Sequence, residues 1–303
     1  MSSAVAGFGK DKARPHGTLR LGRHSFDAKA RLIMAIVNRT PDSFFDRGAT
    51  WEESAAMERV HAVVSDGADI VDIGGVKAAP GDEVDVAEEI RRTVPFVAAV
   101  RAAYPDLIIS VDTWRHEVGS QVCAAGADLL NDAWGGWDTQ LAEVAARYDA
   151  GLVCSHAGGL PPRTPPHRVA YHDVMGDVVT RTLALARHAV DVGVTPSRIL
   201  IDPAHDFGKN TWHSLEVTRR LGEMTATGWP VLVSLSNKDF VGETLDLPLE
   251  ERLTGTLAAI TVCAWLGARV FRVHQIRETR MVLDMVSAIR GERPPARVFR
   301  GLA

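Results

Sequence analysis

Short apolar runs rich in β-branched residues alternate along this chain with longer segments whose apolar positions recur every three to four residues. The first pattern is that of buried parallel strands, the second that of amphipathic crossover helices. Strands are predicted at Leu32–Asn38, Asp69–Gly74, Leu107–Asp112, Leu129–Asn131, Gly151–His156, Ile199–Pro203, Val231–Ser236 and Val270–His274. Helical patterns follow them, as at Trp51–Ser65, Ala87–Ala103, Val174–Asp191 and Glu250–Leu266. Eight such units in succession predict an α/β fold, a (β/α)8 TIM barrel with an N-terminal hairpin. A doubly wound open sheet is the weaker alternative, since strand order is invisible in sequence.

Residues 1–15 lack periodicity and are expected to be a disordered tail, and residues 16–30 form the hairpin around Leu21-Gly22-Arg23, placed to plug the N-terminal end of the barrel. The barrel is expected over residues 31–290 and a C-terminal tail over 291–303.

With 303 residues, 46% of them hydrophobic, the chain can bury one large core. A net charge of −4 gives no basic excess of the kind nucleic acid requires. Cys123, Cys154 and Cys263 lie far apart in apolar runs, without metal-ligand or disulfide spacing, and are expected as buried thiols. No stretch is long and uncharged enough to span a bilayer, and Met1 to Lys12 has lysines but no signal core. A cytoplasmic location with no membrane partner is the expectation.

Polar residues gather where the predicted strands end: Asn38, Asp72, Asp112, Asn131-Asp132, His156, Asp202, Ser236 with Lys238, and Arg272 with His274. One polar strand end is ordinarily a helix cap or a turn. Nearly all of them at once point to a shared mouth at the C-terminal end of a barrel, where such folds place chemistry. Two carboxylates, an amide and a lysine suit a flat heterocycle with adjacent donors and acceptors. Arg272 and His274 share a strand face and, with Asn38, suit an anion such as a phosphate or diphosphate.

The motifs carrying these residues resemble those of dihydropteroate synthases. They run in order from Ile33-Met34-Ala35-Ile36-Val37-Asn38-Arg39-Thr40-Pro41-Asp42-Ser43-Phe44 through Asp72-Ile73-Gly74-Gly75, Ser110-Val111-Asp112-Thr113, Asn131-Asp132, Asp202-Pro203, Phe207-Gly208-Lys209, Ser236 with Lys238, and Arg272-Val273-His274. That family joins a dihydropterin hydroxymethyl diphosphate to 4-aminobenzoate with Mg²⁺ assistance. The resemblance implies a pterin held by Asp112, Asn131, Asp202 and Lys238, with Arg272 stacked over it. It implies a diphosphate at Asn38, Arg272 and His274, with Asn38 near the metal. The amine subsite would involve Pro80, Phe207, Ser236 and Asp239. If turnover occurs, Asp112, Lys238 and Arg272 are the candidates to carry it. A homodimer is implied, with the apolar stripe of Thr254–Trp265 as its candidate face.

The departures cluster around the later steps. Val76-Lys77-Ala78-Ala79-Pro80-Gly81 replaces a polar loop, with alanines at the threonine and arginine positions. Asn237 and Asp239 replace an arginine and a serine, and Asn237 is expected to take a cation from the anion site. Ala204-His205-Asp206 stands for a glycine-bearing turn, Ser155 and Ala157 for methionines, Gly158 for an arginine, and Gln275 for an acid. Lost cations and added acids oppose an anionic amine. The expected function is therefore a homologue that keeps a pterin pocket with little or no synthase activity. The alternatives are a working synthase, a transferase for another amine, and a non-catalytic pterin-binding or regulatory protein. Trp114, Trp134, Trp137 and Trp212 follow strand ends, and rim packing is favoured over a ligand role for them.

Overall fold

The structure, a computed structural model, describes residues 17–40, 52–77, 81–164 and 169–301. Its elements are β1 Leu19–Leu21, β2 His24–Phe26, β3 Leu32–Asn38, α1 Glu53–Ser65, β4 Ile70–Gly74, α2 Val86–Ala103 and β5 Ile108–Asp112. Next come α3 His116–Ala124, β6 Leu129–Asp132, α4 Gln140–Arg147, β7 Gly151–Ser155, α5 Val174–Asp191, β8 Ile199–Asp202, α6 Thr211–Arg219 and α7 Leu221–Thr225. The chain ends with β9 Leu232–Val233, α8 Asp239–Leu245, α9 Leu253–Trp265, β10 Val270–Val273 and α10 Ile276–Ile289.

Strands β3 to β8 pair in parallel in chain order, and β10 joins β3 to β9. A parallel bridge from Ile201 to Val231 joins the two ends of the sheet, so the eight strands form a barrel. The expected Val231–Ser236 strand is shorter than its apolar run. The chain leaves the ladder after Val233 for a turn in which Asn237 takes a φ of 57° and its N–H donates to Thr256 Oγ1. The expected Glu250–Leu266 helix divides into a 3₁₀ turn, Leu249–Glu251, and α9. The proposed start at Trp51, the N-terminal tail and residues 302–303 lie outside the described residues.

Alternation along each strand builds two apolar layers. Outward residues such as Ile33, Val37, Val71 and Val111 pack under the helices. Inward residues at the N-terminal strand ends, among them Met34, Ile70, Ile108, Val153 and Leu200, form a second core with Leu19 and Leu21 of the hairpin. The β1–β2 hairpin therefore stops the N-terminal end of the barrel. Gly22 makes its turn at φ 53°, where a Cβ would sit 2.6 Å from Asp128 Oδ1. Arg269 Nη1 donates to Gly17 O at 2.8 Å, and Arg198 Nη1 to Gly22 O at 3.2 Å, pinning the plug from below. Among the described residues, the larger cavity opens at the opposite end.

Candidate functional site

Above the apolar layer the barrel interior turns polar within one step of the strand alternation. Asp72, fully buried on β4, accepts from Ser110 Oγ at 2.6 Å, Arg272 Nε at 2.6 Å and Asn131 Nδ2 at 3.2 Å. Arg272 also donates through Nη2 to Asp112 Oδ2 at 3.0 Å. Two carboxylates thus fix the guanidinium plane before any ligand arrives. Burial pushes the Asp112 carboxyl up to about 7, against the pull of Arg272.

Over this network opens a cavity of about 460 Å³ at the C-terminal strand ends. Asp112, Asn131, Asp202 and Lys238 all line it, as do Asn38, Phe207, Ser236, Asp239, Arg272 and His274. Pro80, with Ala78, Ala79 and residues 41–51, lies outside the described residues. Lys238 extends over the Phe207 ring, 4.7 Å from its centroid, and donates to the His205 carbonyl. Burial lowers its ammonium to about 8, while Asp206 and Asp202 hold it up. His274 lies 2.9 Å through Nδ1 from Ser236 Oγ, and burial beside Arg272 lowers it to about 3, leaving a neutral ring at physiological pH.

Three strand-end residues do not face the cavity. Asp72 lies beneath it in the Arg272 network. Asp132 folds back on its own turn, accepting from Trp134 N at 2.9 Å and Gly136 N at 2.7 Å. His156 points outward, its Nε2 2.7 Å from Asp177 Oδ2. Lys209 Nζ lies 2.7 Å from His156 Nδ1, and burial lowers its ammonium to about 7. The same ammonium donates to the carbonyls of His156, Ala204 and Phe207, stapling the β7 and β8 turns together.

The departures from the synthase motifs also find their places. Ala204 and Asp206 keep positive φ, 49° and 67°, in the turn that glycine normally serves. Asp206 accepts from Ser214 Oγ at 2.9 Å and from Phe240 N at 3.2 Å, and burial raises it despite Lys238. Asn237 does not open onto the anion site: it is buried, and its Nδ2 donates to Gln275 Oε1 at 3.3 Å. An amide pair thus occupies the two positions where the synthase motif has an arginine and an acid, so these two substitutions belong together. Asp239 lines the cavity and pairs with Arg252 at 2.9 Å.

Trp134 lines the cavity, packing edge-on to Phe207 with centroids 5.1 Å apart and against Trp114 at 6.5 Å. Trp137 and Trp212 are exposed. Ser155, Thr40, Lys209 and Glu243 also line it. Of these, Ser155 was within reach of sequence reasoning through strand alternation, being two residues on from inward Val153.

A barrel closed below and polar at its C-terminal mouth, with acids, amides and cations around one ring-sized space, defines a small-molecule pocket of the α/β barrel class. The sequence profile described as pterin binding enzyme matches residues 34–274, and the chain belongs to that family. It is 58% identical over 276 residues to the "Inactive dihydropteroate synthase 2" of Mycobacterium tuberculosis, covering 90% of this chain and 87% of that one. It is 36% identical over 278 residues to the dihydropteroate synthase of Synechocystis, covering 89% and 94%. The crystal structure of Yersinia pestis dihydropteroate synthase in a sulfonamide drug complex superposes with a TM-score of 0.85 at 31% identity, over 91% of this chain and all of that one. The chain is a dihydropteroate synthase homologue with a TIM barrel fold.

Proposed function

We propose that this protein binds a dihydropterin, with or without its diphosphate, and has little or no dihydropteroate synthase activity. The observation carrying this reading is the convergence of Asp112, Asn131, Asp202 and Lys238 on one cavity above a pre-oriented Arg272. Acids and an amide suit the amino and ring N–H groups of a pterin, and Lys238 suits its carbonyl. Arg272 offers a guanidinium face for stacking.

The altered acceptor side supports the loss of synthesis. Asp239 and Glu243 line the cavity, adding carboxylates that an anionic amine would meet on binding. The name of the mycobacterial relative at 58% identity points the same way. Each lost transition-state contact costs on the order of 10²-fold in rate, so a few suffice to silence turnover.

Magnesium fits only in company with a diphosphate. Asn38 Oδ1 lies beside Gly74, 3.5 Å from where a Cβ there would stand, and Asn38 is the residue that would supply its oxygen to the ion. Among the described residues, the one group of three His, Cys, Asp or Glu ligand atoms close enough for a metal is His116, Glu117 and Asp138, which does not line the cavity. Magnesium would neutralise diphosphate charge and stabilise its departure. The chain's own part is to hold the heterocycle and, through Arg272, part of that charge.

A homodimer is included in this reading. Val262 and Trp265 of α9 and Met281, Met285 and Ile289 of α10 are exposed on two neighbouring helices, an apolar face suited to a second copy. No helix among the described residues is long and apolar enough to cross a membrane.

Turnover is tested by supplying dihydropterin hydroxymethyl diphosphate, Mg²⁺ and 4-aminobenzoate and following pteroate by chromatography. The expected yield is at least 10³-fold below that of a working synthase, from two or more lost contacts. Pteroate formation at a working synthase's rate would refute the proposed inactivity.

A further inference from the structure

Ser155 closes β7, two residues beyond Val153, so its side chain turns into the barrel and lines the cavity. Its backbone lies in register with Asp202 on one side, while Asn131 on β6 pairs with Val153 on the other. The hydroxyl therefore stands between two of the side chains assigned above to the heterocycle. It is 1% exposed, and among the described residues its Oγ has no hydrogen-bond partner.

A buried hydroxyl without a partner is a standing cost to the fold, and protein interiors rarely keep one. Here it replaces an apolar position, a methionine in the synthase motif, so packing alone gives no reason for it. A serine side chain also leaves more room than a methionine. The orphan faces the ligand space, and a hydroxyl both donates and accepts.

We propose that Ser155 is a specificity-determining residue whose hydroxyl hydrogen-bonds the bound heterocycle on the edge between Asn131 and Asp202. The pocket then selects bicyclic heterocycles that present a donor or acceptor at that edge over those that present a C–H group. This rests on the pterin reading above, and sharpens which pterin-like ligands it admits.

The experiment compares wild type, Ser155→Ala and Ser155→Cys, with the unliganded melting temperature and the calorimetric Kd for 6-hydroxymethyl-7,8-dihydropterin measured for each. Ser155→Ala removes the orphan group, so the unliganded protein is expected to melt no lower than wild type. Its ligand affinity is expected to fall about tenfold, the scale of one lost hydrogen bond. Ser155→Cys keeps the size but weakens the donor, and is expected to lose affinity to a smaller extent.

Equal affinities in all three proteins would overturn the inference while leaving the pterin pocket standing. A lower melting temperature in Ser155→Ala with unchanged affinity would make the hydroxyl structural, and would also overturn it. Wild type that takes up no pterin would remove the pocket reading and this inference together.

Discussion

Arg272 shows how much of the site is built before a ligand arrives. Its guanidinium spans Asp72 and Asp112, with Asp72 wholly buried and serving three donors. Removing one member of a buried pair strands the other charge. Asp72→Ala is accordingly expected to cost about 3–5 kcal/mol, read as a shift in the denaturant midpoint. An unchanged midpoint would mean that water already serves Arg272. His274 makes a pH prediction. Its folded value of about 3 lies below its ordinary 6.5, so between those limits the unfolded chain takes up a proton that the fold refuses. The stability contributed by the neutral ring is complete above pH 6.5 and is lost as pH falls toward 3. Asp112, raised to about 7, works in the opposite direction. The histidine's share is therefore isolated by comparing wild type with His274→Asn. Wild type is expected to lose up to about 1.4 kcal/mol per pH unit relative to the variant below pH 6. Parallel stability curves would contradict it.

At the level of elements, the strands were legible because each is an apolar run cut off by a polar residue. Their ends were legible only in part. Treating every strand-end polar residue as mouth-facing ignored the two-residue alternation, which turns Asn131 and Ser155 inward while Asp132 and His156 turn away. The short β9 was hidden, since nothing in Val231–Ser236 announces that Asn237 will take a left-handed turn. The pairing of Asn237 with Gln275 was hidden too, because contact between residues 38 apart has no periodic signal. Two elements can be tested directly. Leu21→Ala in the plug is expected to destabilise the barrel by about 2–5 kcal/mol, since Leu21 is fully buried among the inward strand residues. A change under about 0.5 kcal/mol would show the hairpin to be dispensable, as for ordinary surface positions. Ala204 holds φ 49°, and Ala204→Gly is expected to raise the denaturant midpoint by the equivalent of about 1 kcal/mol. A lower midpoint would mean that the turn is not strained.

For the molecule as a whole, the barrel divides its labour by end. The hairpin and an apolar layer seal the N-terminal mouth, while Asp72, Arg272 and the strand-end residues load the other with preset donors and acceptors. Sequence motifs sufficed for that division because ordered short signatures mark successive strand ends of one fold. What they could not convey is which departures touch the ligand space: Asp239 does, Asn237 does not. The resulting picture is a recognition site that outlasts the reaction it resembles. Its most direct test is calorimetric titration of wild type and Asp202→Ala with 6-hydroxymethyl-7,8-dihydropterin. Saturable binding to wild type at one site per chain, weakened at least tenfold in the variant, is the predicted result. No heat of binding in wild type, or equal affinity in both proteins, would contradict it.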